Sequence, residues 1–133
     1  MAGNVASAGT LSLNSGSLFT MSGDSALGTF TLNGTGTGLT LGGGTVPALT
    51  FDIGDLATGT DRIIVTNNVS APSGGTITIS QLAGLTSLTA GNYNLITSAG
   101  GFTGGGANGF TLSSSTLTVA SVLYNLSLAN STS

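Results

Sequence analysis

Leu49-Thr50-Phe51-Asp52-Ile53 is the stretch on which the fold turns. Apolar Leu49, Phe51 and Ile53 alternate with polar Thr50 and Asp52. A period of two turns one face of an extended chain to a core and the other to water. The alternation recurs before it in Thr10-Leu11-Ser12-Leu13, Phe30-Thr31-Leu32 and Leu39-Thr40-Leu41. It recurs after it in Thr76-Ile77-Thr78-Ile79, Phe110-Thr111-Leu112, Leu117-Thr118-Val119 and Leu126-Ser127-Leu128. Threonine, being β-branched, suits the outer face of such strands. Leu82, Leu85 and Leu88 come closest to helical spacing, but Gly84 among Thr and Ser predicts a turn or one short helical turn. The pattern is all-β.

The segments also repeat. Gly9-Thr10-Leu11-Ser12-Leu13-Asn14 returns 19 residues later as Gly28-Thr29-Phe30-Thr31-Leu32-Asn33. Ala26-Leu27 returns as Ala48-Leu49, and Leu18 to Met21 as Gly38 to Leu41. Periods of about 20 residues holding several short strands predict the coils of a β-solenoid. Beyond Thr50 the spacing loosens. Gly54 to Asp61 reads as a polar loop, Ala71-Pro72-Ser73-Gly74-Gly75 as a turn, and the six glycines of Gly100 to Gly109 as a long loop. The expected organisation is one β-rich domain over 1–133, with regular repeats in 1–49 and less regular strands in 50–133. The alternative fold is an antiparallel β-sandwich completed by strand exchange.

Composition narrows the chemistry. Charged residues are 4% of the 133, against roughly 25% in an ordinary domain. The acids are Asp24, Asp52, Asp55 and Asp61, Arg62 is the sole base, and Lys, Glu, His, Cys and Trp are absent. Serine and threonine hydroxyls then have no His or Lys to activate them. Phosphate neutralisation has one cation to draw on, so nucleic acid is not expected as a partner. Gly104-Gly105-Gly106 lacks the lysine of a phosphate loop and reads as a turn. No charged segment followed by an apolar stretch appears after Met1, and runs such as Ile63-Ile64-Val65 fall far short of a membrane span.

These residues carry a family resemblance. Gly-Thr-Leu-Ser-Leu-Asn and Gly-Thr-Phe-Thr-Leu-Asn are followed by Leu49 to Gly54, Thr60-Asp61-Arg62-Ile63-Ile64-Val65 and Leu88 to Thr97. Together they resemble autotransporter-associated β-strand repeat proteins along nearly the whole chain. The resemblance implies a right-handed parallel β-helix in a bacterial surface or secreted protein, with no shared catalytic site.

One charge cluster stands out, formed by Asp52, Asp55 and Asp61 beside Arg62. Three carboxylates could hold Ca²⁺, which prefers oxygen ligands. The spacing is not that of an EF-hand, and the plainer expectation is a solvated loop with Asp61 or a neighbour pairing weakly with Arg62. No catalytic or cofactor-binding residue is expected.

The expected function is that of a non-enzymatic, extracellular structural protein. It would polymerise with copies of itself into a surface filament, since a surface of Ser, Thr, Asn and Gly offers little charge repulsion. The strand-like ends Asn4-Val5-Ala6 and Leu126-Ser127-Leu128 carry no evident cap. The alternatives are a passenger segment of a larger adhesin, or a carbohydrate- or ice-binding module displaying Thr29/Thr31 and Thr76/Thr78.

Overall fold

The predicted alternations become strands, and each pairs with a strand one coil away in place of its neighbour in sequence. The computed structural model describes residues 3–14, 16–23, 25–42, 46–104 and 109–130. Among these residues the chain makes four coils of three strands. The first holds β1 (Gly3–Ser7), β2 (Leu11–Leu13) and β3 (Leu18–Thr20). The second holds β4 (Gly28–Leu32), β5 (Thr37–Leu41) and β6 (Ala48–Ile53). β7 (Arg62–Val65), β8 (Asn68–Ala71) and β9 (Gly75–Gln81) make the third. β10 (Ile96–Ser98), β11 (Phe102–Gly104) and β12 (Phe110–Leu112) make the fourth. Three parallel sheets result, β1-β4-β7-β10, β2-β5-β8-β11 and β3-β6-β9-β12. The molecule is a parallel β-helix.

In-register stacking turns the apolar positions into interior ladders. Phe30, Ile63 and Ile96 line the first wall, and Leu11, Leu39, Val69 and Phe102 the second. Phe19, Leu49, Ile77 and Leu112 line the third. Leu39, Leu49, Phe51, Ile63 and Val69 are fully buried. Burying each such side chain contributes about 1.5–3 kcal/mol, which offsets the ordering of the glycine-rich turns between them. Phe19 and Phe30 pack ring to ring at 5.3 Å near the first-coil end of this core.

Corners are stitched from coil to coil. Between the first two walls, the Thr66 amide donates to the Leu32 carbonyl at 3.0 Å and the Ala99 amide to Val65 at 3.0 Å. The Asn67 side-chain amide reaches the Gly34 carbonyl. The predicted turn at Ala71 to Gly75 is present, with Gly74 at φ +66. A side chain there would be strained, and its Cβ would overlap the Gly109 backbone of the next coil.

The coil is longer than the repeat in the sequence. Gly3 pairs with Gly28, 25 positions on, and Phe30 with Ile63 and Ile63 with Ile96, each 33 on. The look-alike segments Leu11–Leu13 and Phe30–Leu32 lie on different walls. Every wall demands the same apolar–threonine alternation, so strands of different walls resemble one another as closely as strands of one wall. The antiparallel sandwich is likewise overturned, because all three four-stranded sheets are parallel.

After the fourth coil the chain forms an antiparallel hairpin of β13 (Thr116–Val119) and β14 (Val122–Asn125). Ala120 (φ 47) and Ser121 (φ 68) supply the left-handed turn that matches strand twist. Val119 and Leu117 pack with Ile53, Leu88 and Tyr93 in a second small core. Leu126-Ser127-Leu128 lies outside the strands, against expectation. The Leu126 amide donates to the Ser115 carbonyl at 2.8 Å, and Leu128 packs on the main core. Gln81 to Leu88 makes the expected turn, closed by Leu85 N–H on the Leu82 carbonyl at 3.1 Å.

Candidate functional site

The charges that the sequence groups together sit at the corner between the third wall and the first, where β6 ends and β7 begins. Ile53 bridges Thr60, and the Gly54 amide donates to the Gly59 carbonyl at 2.8 Å, so residues 54–59 close as a small hairpin. Asp55 braces that hairpin, its Oδ1 accepting from the Thr58 amide at 2.7 Å and the Thr58 hydroxyl at 2.9 Å. These bonds hold the Asp55 carboxyl below its ordinary range.

Asp52 and Asp61 are 2% and 0% exposed, so neither belongs to a solvated loop as expected. Asp61 Oδ1 accepts from the Gly28 amide at 2.6 Å and its Oδ2 from the Asp52 amide at 2.8 Å. Asp52 Oδ2 accepts from the Gly23 amide at 2.9 Å. The two carboxylates thus tie the start of β4, the end of β6 and the segment after β3. Burial pushes the Asp61 carboxyl up, the two amides oppose that, and the neighbouring Asp52 adds to the rise. Both oxygens of Asp61 are engaged by backbone, which makes this a corner brace.

The structure brings Asp52 and Asp61 together and sends Asp55 to its own turn. No group of three or more Asp, Glu, His or Cys placed to hold a metal occurs among the described residues. Asp24, Gly105 and Gly106 lie outside the described residues. Arg62 does not pair as expected: it is exposed, and its Nε donates to Thr29 Oγ1 at 3.2 Å.

Beside the brace lies a cleft of about 360 Å³. Arg62 and Thr60 line one side, Asn92, Tyr93 and Asn94 another, and Leu27 and Leu56 provide apolar surface. The Ile63 amide donates to the Leu95 carbonyl at 2.8 Å, which sets the 92–95 segment directly over Arg62. The Tyr93 hydroxyl donates to the Thr89 carbonyl at 2.7 Å; burial, then nearby Asp55, pushes its pKa up and keeps it neutral. Sequence reasoning missed this convergence. The signal was the 33-residue spacing that stacks Thr29, Arg62 and Leu95, hidden behind the shorter 19-residue resemblance.

The threonine rows divide. Thr29 and Thr31 meet Arg62 and Ile64 on the next coil, which interrupts that face. Thr76 and Thr78 belong to outward ladders with Thr111 and with Thr50 and Thr20. The Thr50 hydroxyl is buried in its ladder without a hydrogen-bond partner among the described residues.

A third feature is the pair of coil ends. β1, β2 and β3 each terminate a sheet at one end, and β10, β11 and β12 at the other. Val5 and Leu18 on the first coil are 41% and 65% exposed. None of these six strands contains a charged residue or a proline. Among the described residues no helix is long and apolar enough to cross a membrane. Comparison of the chain with protein-family models, curated proteins and solved structures finds no match.

Proposed function

We propose that this chain is a non-enzymatic, extracellular structural subunit that stacks end to end with its own copies into a bacterial surface filament. The observation that carries the reading is that the edge strands of both terminal coils carry neither charge nor proline. Edge strands offer rows of backbone donors and acceptors, and proteins that stay monomeric usually blunt them with lysine, proline, bulges or a covering segment. Here the six terminal strands are uncharged and proline-free. The charges of the described residues gather in 52–62, away from either end.

Head-to-tail stacking would continue all three sheets in the parallel sense, with β1–β3 of one copy on β10–β12 of the next. Backbone hydrogen bonds would supply affinity, and exposed Val5 and Leu18 apolar area. The resemblance to autotransporter-associated repeat proteins supports a cell-surface setting for such an assembly. It also supports a second reading, in which these coils are part of a longer passenger and neighbouring coils of the same chain cover the edges.

Electron microscopy of the purified chain at high concentration tests the proposal. Unbranched filaments one β-helix wide are expected. Dispersed single particles would reject it and favour the passenger reading.

A further inference from the structure

We propose that the corner cleft beside Arg62 binds a neutral saccharide unit. The inference does not depend on filament formation.

The cleft gathers what is scarcest in this chain. Its only cation and one of its two tyrosines converge there with two asparagines, from segments about 30 residues apart. Most other polar groups on the walls are already engaged: Thr29 Oγ1 by Arg62, Thr58 Oγ1 by Asp55 and Thr60 Oγ1 by the Asp52 carbonyl. Among the described residues Arg62 donates its Nε to Thr29, and its exposed guanidinium carries further donors in a fixed fork. The exposed side chains of Asn92 and Asn94 add both donors and acceptors.

Planar amide and guanidinium groups that present donors and acceptors side by side match vicinal hydroxyls. The half-buried Tyr93 ring and exposed Leu56 offer apolar surface for the C–H face of a sugar ring. Tyr93 is held from behind by Leu88 and Val119, and Leu56 packs against Gly91, so both walls are anchored. At about 360 Å³ the cleft lies at the small end of ligand sites, room for a terminal sugar or disaccharide.

Charge selects within the class. Asp55 sits one hydrogen bond behind the cleft, its Oδ1 accepting from the hydroxyl of the lining Thr58 at 2.9 Å, and the whole chain is at −3. A uronate or sulfated sugar would gain Arg62 and meet Asp55, whereas a neutral sugar meets no like charge.

The test is NMR titration of the ¹⁵N-labelled chain with glucose, galactose, mannose, N-acetylglucosamine, their β-linked disaccharides and glucuronic acid. Saturable shifts confined to amides of 58–62 and 91–95 are expected with at least one neutral sugar, in the millimolar range. Glucuronic acid should bind more weakly than its neutral parent. Arg62→Ala and Asn94→Ala should each weaken binding about tenfold with an unchanged circular dichroism spectrum, as loss of one charge-assisted or well-placed hydrogen bond requires. Shifts elsewhere, or no saturation with any of these sugars, would overturn the site. Tighter binding of glucuronic acid would overturn its assignment to neutral sugars. An Arg62→Ala chain that fails to fold leaves the mapping on the unaltered protein as the deciding result.

Discussion

Asp61 shows how much one side chain can carry in a chain with so few charges. Its carboxylate satisfies two buried amides, and removing it leaves Gly28 and Asp52 N–H groups without a partner. Asp61→Asn keeps one acceptor but turns an NH₂ toward a donor, so urea denaturation at pH 7 should show a loss of about 1–3 kcal/mol. The pH dependence follows from the raised pKa. The folded state holds the Asp61 proton to higher pH than the unfolded chain, whose ordinary value is 3.8. Between 3.8 and that raised value the native state binds more protons, so this group's contribution to stability grows as pH falls through the folded pKa and is complete below 3.8. Asp55, held low by Thr58, acts in the opposite sense and loses its contribution as pH falls below 3.8. Denaturation midpoints of the unaltered chain and Asp61→Asn, compared at pH 7 and at pH 3.8, should separate more widely at the lower pH. The sequence places Asp52, Asp55, Asp61 and Arg62 close together, but not which of them are buried. That depends on backbone amides of Gly23 and Gly28, whose approach is set by stacking of coils and leaves no trace in residue type.

At the scale of strands, the alternation decides nearly everything that local chemistry can decide. Leu49 to Ile53, Thr76 to Ile79 and Phe110 to Leu112 are strands because apolar and β-branched residues alternate there, and all three fall on one wall. Which strand stacks on which is a different question. A solenoid repeats one requirement on three walls, so the similarity of Leu11–Leu13 to Phe30–Leu32 misleads about coil length, and β8 passes unnoticed because Asn68-Val69-Ser70-Ala71 is too short to stand out. Leu126 to Leu128 has the right alternation but meets Ser115 and the main core before any strand edge. The stacking account predicts where substitution hurts. Phe51→Ala empties a fully buried ladder position and should cost about 3–5 kcal/mol in denaturant unfolding. Gly74→Ala forces a side chain onto left-handed backbone and into the Gly109 carbonyl of the next coil, and should cost at least about 2 kcal/mol. An equally small loss at Gly74 and at Gly16, which has φ +73 but open space around it, would show that coil contact adds nothing.

Among the described residues the molecule is a stack whose middle holds the charged side chains and whose terminal strands hold none. A low-charge surface does little to keep copies apart, and parallel edge strands free of charge and proline give them a way to meet in register. The proposed assembly therefore depends on the first coil, where Val5 and Leu18 stand exposed. Lysine there would place charge on the edge that must be covered, at the open end of the Phe30–Ile63–Ile96 ladder for Val5 and on the outer row for Leu18, while the ladders of the other three coils keep their apolar residues. The decisive measurement is sedimentation velocity over a range of concentrations for the unaltered chain and for Val5→Lys/Leu18→Lys. The account predicts concentration-dependent growth for the unaltered chain, and a monomer with the same β-rich circular dichroism for the double variant. Identical sedimentation of the two, whether both monomeric or both associated, would contradict it.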